Sequence, residues 1–118
     1  MIILTVDGGG GDCSGRACYA SAHVNGEVRR FDLDCHTSNE AEYLAVIRGL
    51  EWAVELGLRE VLVRSDSMLV VWQVEGEWRI KAAHLRPLCD RVWELMDLFA
   101  DVQLEWVPRK EIVPVLGH

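Results

Sequence analysis

Two short apolar runs, Ile2-Ile3-Leu4-Thr5-Val6 and Val61-Leu62-Val63, each give way to an aspartate, Asp7 and Asp66. Apolar runs of this length bounded by polar residues predict buried strands. Between them, residues from about Ala17 to Val24 and from Glu27 to Leu33 flank Asn25-Gly26, the dipeptide best suited to a two-residue hairpin turn. The opening of the chain therefore predicts an antiparallel meander. Thr37-Ser38-Asn39-Glu40 has the form of a capping box, and Tyr43, Ile47, Leu50 and Val54 follow at helical spacing until Gly57 ends the helix. Glu42 is expected in the first turn of that helix.

After Asp66 the run from Met68 to Val74 predicts a second helix, stopped near Gly76. A third is expected from about Leu85, with Pro87 tolerated in its first turn and Leu88, Val92, Leu95 and Phe99 facing the core. Val102 to Val107 predicts a last strand, closed by Pro108. The order βββαβααβ implies a parallel crossover and a mixed sheet in which the first and fourth strands lie side by side. Asp7 and Asp66 then share one rim, where ligands of such sheets gather, and the helix beginning at Thr37 can bring Glu42 over it.

Acidic groups brought together repel one another unless they share a proton or a cation. Oxygen ligands with no Cys or His among them favour Mg²⁺ or Mn²⁺. Each carboxylate alone has a plainer reading as turn former, cap or macrodipole partner. The metal reading rests on Asp7, Glu42 and Asp66 together. Gly8-Gly9-Gly10-Gly11 permits close backbone approach to a ligand, but without the lysine of a phosphate-binding loop it serves equally as a turn.

At 118 residues, with half of them apolar, the chain is expected to form one domain, residues 1–118. It has no apolar stretch of membrane-spanning length and no leader pattern, so a cytoplasmic protein without membrane contact is expected. The net charge of −7 argues against gripping nucleic acid by bulk electrostatics. Any such affinity must be local, and Trp78, Arg79, Lys81, His84 and Arg86 form the one basic stretch interleaved with an aromatic. A solvated turn beside a half-buried tryptophan is the plainer alternative for that stretch. Cys13, Cys18, Cys35 and Cys89 show no C-x-x-C pair, so reduced thiols are expected, and a zinc site from Cys13, Cys18, Cys35 and His36 fits no ribbon or finger spacing. No motif points to an organic cofactor.

Five segments carry a resemblance: Thr5-Val6-Asp7-Gly8; Thr37-Ser38-Asn39-Glu40-Ala41-Glu42-Tyr43; Arg64-Ser65-Asp66-Ser67; Gly76-Glu77-Trp78-Arg79-Ile80-Lys81 with Leu85-Arg86-Pro87-Leu88; and Glu105-Trp106-Val107-Pro108-Arg109. On these the chain resembles the ribonuclease H type 1 family, in the compact form without the basic protrusion. The resemblance implies an α/β ribonuclease H-like fold, a five-stranded mixed sheet of order 3-2-1-4-5 flanked by helices. It implies an endonuclease that hydrolyses the RNA strand of RNA–DNA hybrids, leaving 5′-phosphate and 3′-hydroxyl ends. Asp7, Glu42 and Asp66 match three of the family's four catalytic, metal-binding carboxylates, which implies two Mg²⁺ ions with Mn²⁺ as substitute.

The resemblance also implies substrate contacts. Asn39 matches a residue in the minor groove of the hybrid and Thr37 one that holds a DNA phosphate, although both positions also suit helix capping. Gly8 opens the loop whose backbone meets 2′-hydroxyls, and Trp78 and Lys81 complete the set. Cys13 stands in place of a typical Asn, and Met68 in place of a hybrid-contacting Gln.

The largest departure is the tail from Lys110 to His118. Leu116 falls where the family has its fourth acid, Pro114 and its β-branched neighbours oppose a helix, and neither Glu111 nor His118 stands at the position to substitute. The alternative to a hybrid nuclease is a catalytically impaired member that binds nucleic acid or protein. Whether the tail is truncated or divergent, and the oligomeric state, are left open by the sequence.

Overall fold

Five strands, β1 (Ile2–Gly9), β2 (Cys18–Val24), β3 (Glu27–Leu33), β4 (Glu60–Ser65) and β5 (Asp101–Trp106), form one sheet of order β3-β2-β1-β4-β5. The computed structural model describes residues 1–9, 18–34 and 37–117. Cys13, Cys35, His36, His118 and most of the glycine loop therefore lie outside the described residues. Among the described residues four helices accompany the sheet: α1 (Ser38–Glu55), α2 (Met68–Val74), α3 (Arg86–Met96), preceded by a 3₁₀ turn at Ala83–Leu85, and α4 (Arg109–Leu116).

The first three strands form the expected antiparallel meander. Asn25 and Gly26 both adopt positive φ, 53° and 80°, the left-handed pair that the two-residue turn requires and that Asn and Gly accept at least cost. Beyond it the sheet becomes parallel, with Leu4 opposite Val63 and Thr5 opposite Arg64. Carried two residues further, that register sets Asp7 level with Asp66.

Helix α1 lies close on β1, so close that a Cβ on Gly49 would come within 2.7 Å of Val6 Cγ1. Its buried face carries Tyr43, Val46, Ile47, Leu50 and Ala53. Val54, expected among them, is exposed, because Trp52 and Ala53 take the buried positions of the last turn and leave Val54 outside them. In α3 the core positions are Cys89, Val92 and Leu95, while Leu88 is only half-buried and Phe99 packs after the helix has ended.

The C-terminal segment departs most from expectation, for it is helical with Pro114 inside it. A proline there forfeits one intrahelical hydrogen bond and costs about 3 kcal/mol. Ile112 and Leu116, one turn apart, bury with Val107 in a cluster of their own as α4 packs against β1 and β2. Burial of each large side chain contributes about 1.5–3 kcal/mol, enough to offset the proline.

Cys18 is disulfide-bonded, against the reduced thiols expected, whereas Cys89 is free and buried. The lack of a C-x-x-C pair does not exclude a bond between cysteines otherwise spaced. Among the described residues no helix is long and apolar enough to cross a membrane.

Candidate functional site

The three acidic side chains meet at the rim where β1 and β4 end. One carboxylate oxygen from each of Asp7, Glu42 and Asp66 lies within 4.8 Å of the others. Asp7 belongs to β1 and is buried; Asp66 follows directly on β4. Glu42 stands in the second turn of α1 rather than the first, since Thr37 is the N-cap and Glu40 the first-turn acid. It therefore takes no part in capping.

Each is held by its own element. The N–H of Gly8 donates to Glu42 Oε1 at 2.6 Å, a contact that needs β1 and α1 nearly touching. A Cβ on Gly8 would strike the Ala41 carbonyl and come within 2.8 Å of the Glu42 nitrogen, so only glycine fits. The Trp106 indole N–H donates to the main-chain carbonyl of Asp66 at 3.1 Å. Ser65 Oγ accepts from the Ser67 N–H at 3.1 Å, and Ser67 in turn caps α2 through Val70. These contacts fix the turn that carries Asp66.

Mutual repulsion is answered in two ways. Burial first, then the charges of Asp7 and Asp66, push the Glu42 carboxyl from 4.5 up to about 9. Protonated Glu42 hydrogen-bonds to Asp7. Asp66 is likewise raised by burial and by Asp7, and partly restored by a hydrogen bond with Glu42 and then by Arg109. The guanidinium of Arg109 places Nη1 3.3 Å from Asp66 Oδ2 and 3.6 Å from Asp7 Oδ2. Its own affinity for a proton rises, chiefly through Asp7.

The donor set suits a divalent cation. Oxygen ligands on opposite sides of such an ion stand ~4–5 Å apart, and all three donors here are hard carboxylate oxygens.

A second feature lies along α2. A cavity of about 470 Å³ is lined by Asn39, Gln73, Trp78, Arg79 and Lys81, among others. Asn39, singled out at the start of α1, thus lies beside Trp78 and Lys81 of the basic stretch. The buried Tyr43 hydroxyl donates to Gln73 Oε1 at 2.6 Å, and Gln73 Nε2 donates to the Arg79 carbonyl at 3.3 Å. This chain ties the 76–82 segment to the core. Trp78 packs at an angle on Trp72, ring centroids 6.2 Å apart.

Thr37 is engaged at its cap, accepting from the Glu40 N–H at 3.2 Å. Arg86, grouped with the basic stretch by sequence, instead pairs with Asp90 at 3.3 Å and lies over Trp93. Gln73 and Arg109 were missed as site residues. A single amide inside the run Met68–Val74, and an arginine just beyond the last strand at the acidic rim, were the signals.

A family model described as reverse transcriptase-like matches residues 12–115. The bifunctional protein Rv2228c of Mycobacterium tuberculosis is 44% identical over 73 residues, 62% of this chain and 20% of its own length. Ribonuclease HI of Halobacterium salinarum is 34% identical over 112 residues, 92% of this chain and 47% of its own length. This chain therefore spans less than half of either curated relative. Among solved structures, RNase H1 from Halobacterium salinarum superimposes with a TM-score of 0.87 at 26% identity, over 98% of this chain and 92% of that one. The N-terminal RNase H domain of rv2228c superimposes with a TM-score of 0.82 at 29% identity, over 98% and 88%.

Proposed function

Because the chain belongs to the reverse transcriptase-like family of ribonuclease H-like domains, we propose that it is a divalent-metal-dependent endoribonuclease hydrolysing the RNA strand of RNA–DNA hybrids. The observation that carries this is the convergence of Asp7, Glu42 and Asp66, from three separate elements, within 4.8 Å. A module serving only to bind has no physical use for three mutually repelling carboxylates.

On this reading Asp7, Glu42 and Asp66 are the catalytic residues and hold Mg²⁺, two ions by analogy with the family, with Mn²⁺ as substitute. When bound, the cations supply an activated water for attack on the phosphodiester and charge stabilisation for the leaving 3′ oxygen. The protein's own part is positioning. Gly8 holds Glu42 and Trp106 holds the turn at Asp66, so the donors need not reorganise.

Substrate binding is assigned to the backbone at Gly8, to Thr37 at the α1 N-terminus, and to the cavity of Asn39, Trp78 and Lys81. A stacking tryptophan beside a lysine suits a nucleic-acid strand. RNA is then chosen by its 2′-hydroxyl. The domain works as one unit over residues 1–118, in the cytoplasm, where hybrids and divalent cations meet.

The test is cleavage of a labelled RNA–DNA hybrid against duplex DNA and single-stranded RNA, in Mg²⁺ and then Mn²⁺. Cleavage confined to the hybrid and stronger in Mn²⁺, which binds oxygen ligands more tightly, supports the reading. Equal cutting of duplex DNA rules it out. A second reading, a hybrid-binding member without catalysis, is favoured by buried Leu116 where the resemblance sets a fourth acid. Hybrid binding with no cleavage in either metal would select it.

A further inference from the structure

We propose that Arg109 is a resident counter-cation, held between Asp7 and Asp66 while no metal is bound and displaced by the divalent cation as it enters. The inference rests on the metal reading above and adds what governs entry to that site. One nitrogen, Nη1, reaches both carboxylates, at 3.3 Å from Asp66 Oδ2 and 3.6 Å from Asp7 Oδ2. Those residues supply two of the three oxygens that cluster within 4.8 Å. A guanidinium and a divalent cation cannot both stand there, so the two compete for the same negative charge.

The backbone under this side chain is fixed. Just before Arg109, the Val107 N–H donates to the Ser65 carbonyl at 2.9 Å, binding the segment to the end of β4. Just after it, the Glu111 N–H donates to the Pro108 carbonyl at 2.9 Å as α4 begins. The side chain itself is 61% exposed and Asp7 only 2%, so the guanidinium covers the buried acid from the solvent side. It can leave by rotating about its own bonds, without any shift of α4 or of the sheet.

Leu116, on the same helix, adds no fourth negative charge to weigh against the arginine. Three acids and one arginine lie closer to neutrality than four acids alone, and the attraction for a cation falls accordingly. Arg109 is thus a positioning residue: it holds Asp7 and Asp66 near the spacing a metal needs, and it sets the threshold for metal entry.

The test is calorimetric titration of Mn²⁺ alone, without substrate, into the wild type, Arg109→Gln, Arg109→Lys and Asp66→Asn, with melting of each in EDTA. Arg109→Gln is expected to bind Mn²⁺ about five- to tenfold more tightly and to melt below the wild type in EDTA. That difference should vanish in saturating Mn²⁺. Arg109→Lys, which keeps the charge, should stay near the wild type on both measures. Unchanged or weaker Mn²⁺ binding by Arg109→Gln, with Asp66→Asn losing it, overturns the counter-cation and leaves the metal site standing. Failure of Asp66→Asn to alter Mn²⁺ binding overturns the metal reading itself.

Discussion

Gly8 donates its main-chain N–H to Oε1 of Glu42 at 2.6 Å, tying the central strand to the helix over it. The same closeness leaves no room for a side chain, since a Cβ would strike the carbonyl of Ala41. Gly8→Ala is expected to push α1 outward and carry Glu42 with it. The cost in stability should be about 1–3 kcal/mol, and hybrid cleavage should fall about 100-fold. Denaturant melts and initial rates on one sample check both, and a variant with wild-type rate would show that the contact is dispensable.

Asp7→Asn and Asp66→Asn should each reduce cleavage to background while folding is kept. An amide has nearly the shape of the acid but lacks the charge that holds a cation. Asp7→Asn loses one ion pair of Arg109, which keeps its shorter contact to Asp66. Removing a buried acid also relieves Glu42. In EDTA, Asp7→Asn should therefore melt no lower than the wild type. Undiminished cleavage by either variant would sink the assignment.

Stability without metal should depend on pH through Glu42. Its folded carboxyl titrates at about 9 against an ordinary 4.5. Between those values the folded chain holds a proton that the unfolded chain has released. The contribution is complete below about 4.5 and is lost as pH rises towards about 9. In EDTA the melting temperature should drop by roughly 10 °C between pH 6 and pH 8.5. Saturating Mn²⁺ should flatten that slope, as should Glu42→Gln. A melting temperature that climbs with pH in EDTA contradicts the proton on Glu42.

The C-terminal helix makes opposite predictions for two neighbours. Leu116→Asp places a carboxylate in the cluster of Val107 and Ile112, and should cost at least about 3 kcal/mol. Pro114→Ala restores a hydrogen-bond donor and should add about 1–3 kcal/mol. Restoring an acid at 116 without repacking that cluster is therefore expected to unfold α4 before it improves the site. Chemical denaturation of the two single variants decides, and a neutral Leu116→Asp would place that side chain in solvent.

Much of this was legible in the sequence, because the strongest signals were local. The asparagine and glycine of the hairpin turn, the capping box at Thr37 and the strand-ending aspartates each announce themselves within a few residues. The site followed from them, since strand order and register bring Asp7 level with Asp66. What stayed hidden was decided by contacts between distant parts of the chain. Pro114 reads as a helix breaker until α4 packs against β1 and β2. Arg109 reads as one more surface charge until the ends of β1 and β4 place two carboxylates beneath it.

The polar contacts that define the acidic rim join residues far apart along the chain. Gly8 reaches Glu42 across 34 positions, Trp106 reaches Asp66 across 40, and Arg109 reaches Asp66 across 43. The hairpin of β2 and β3 closes over two residues and forms without any of them. Refolding thus has two clocks: one for local turns and helices, and a slower one for the parallel strand pairing whose loops must close first. The acidic rim belongs wholly to the slower clock. Hybrid-cutting ability should return after the helical circular dichroism does, and no partly folded chain should cut RNA.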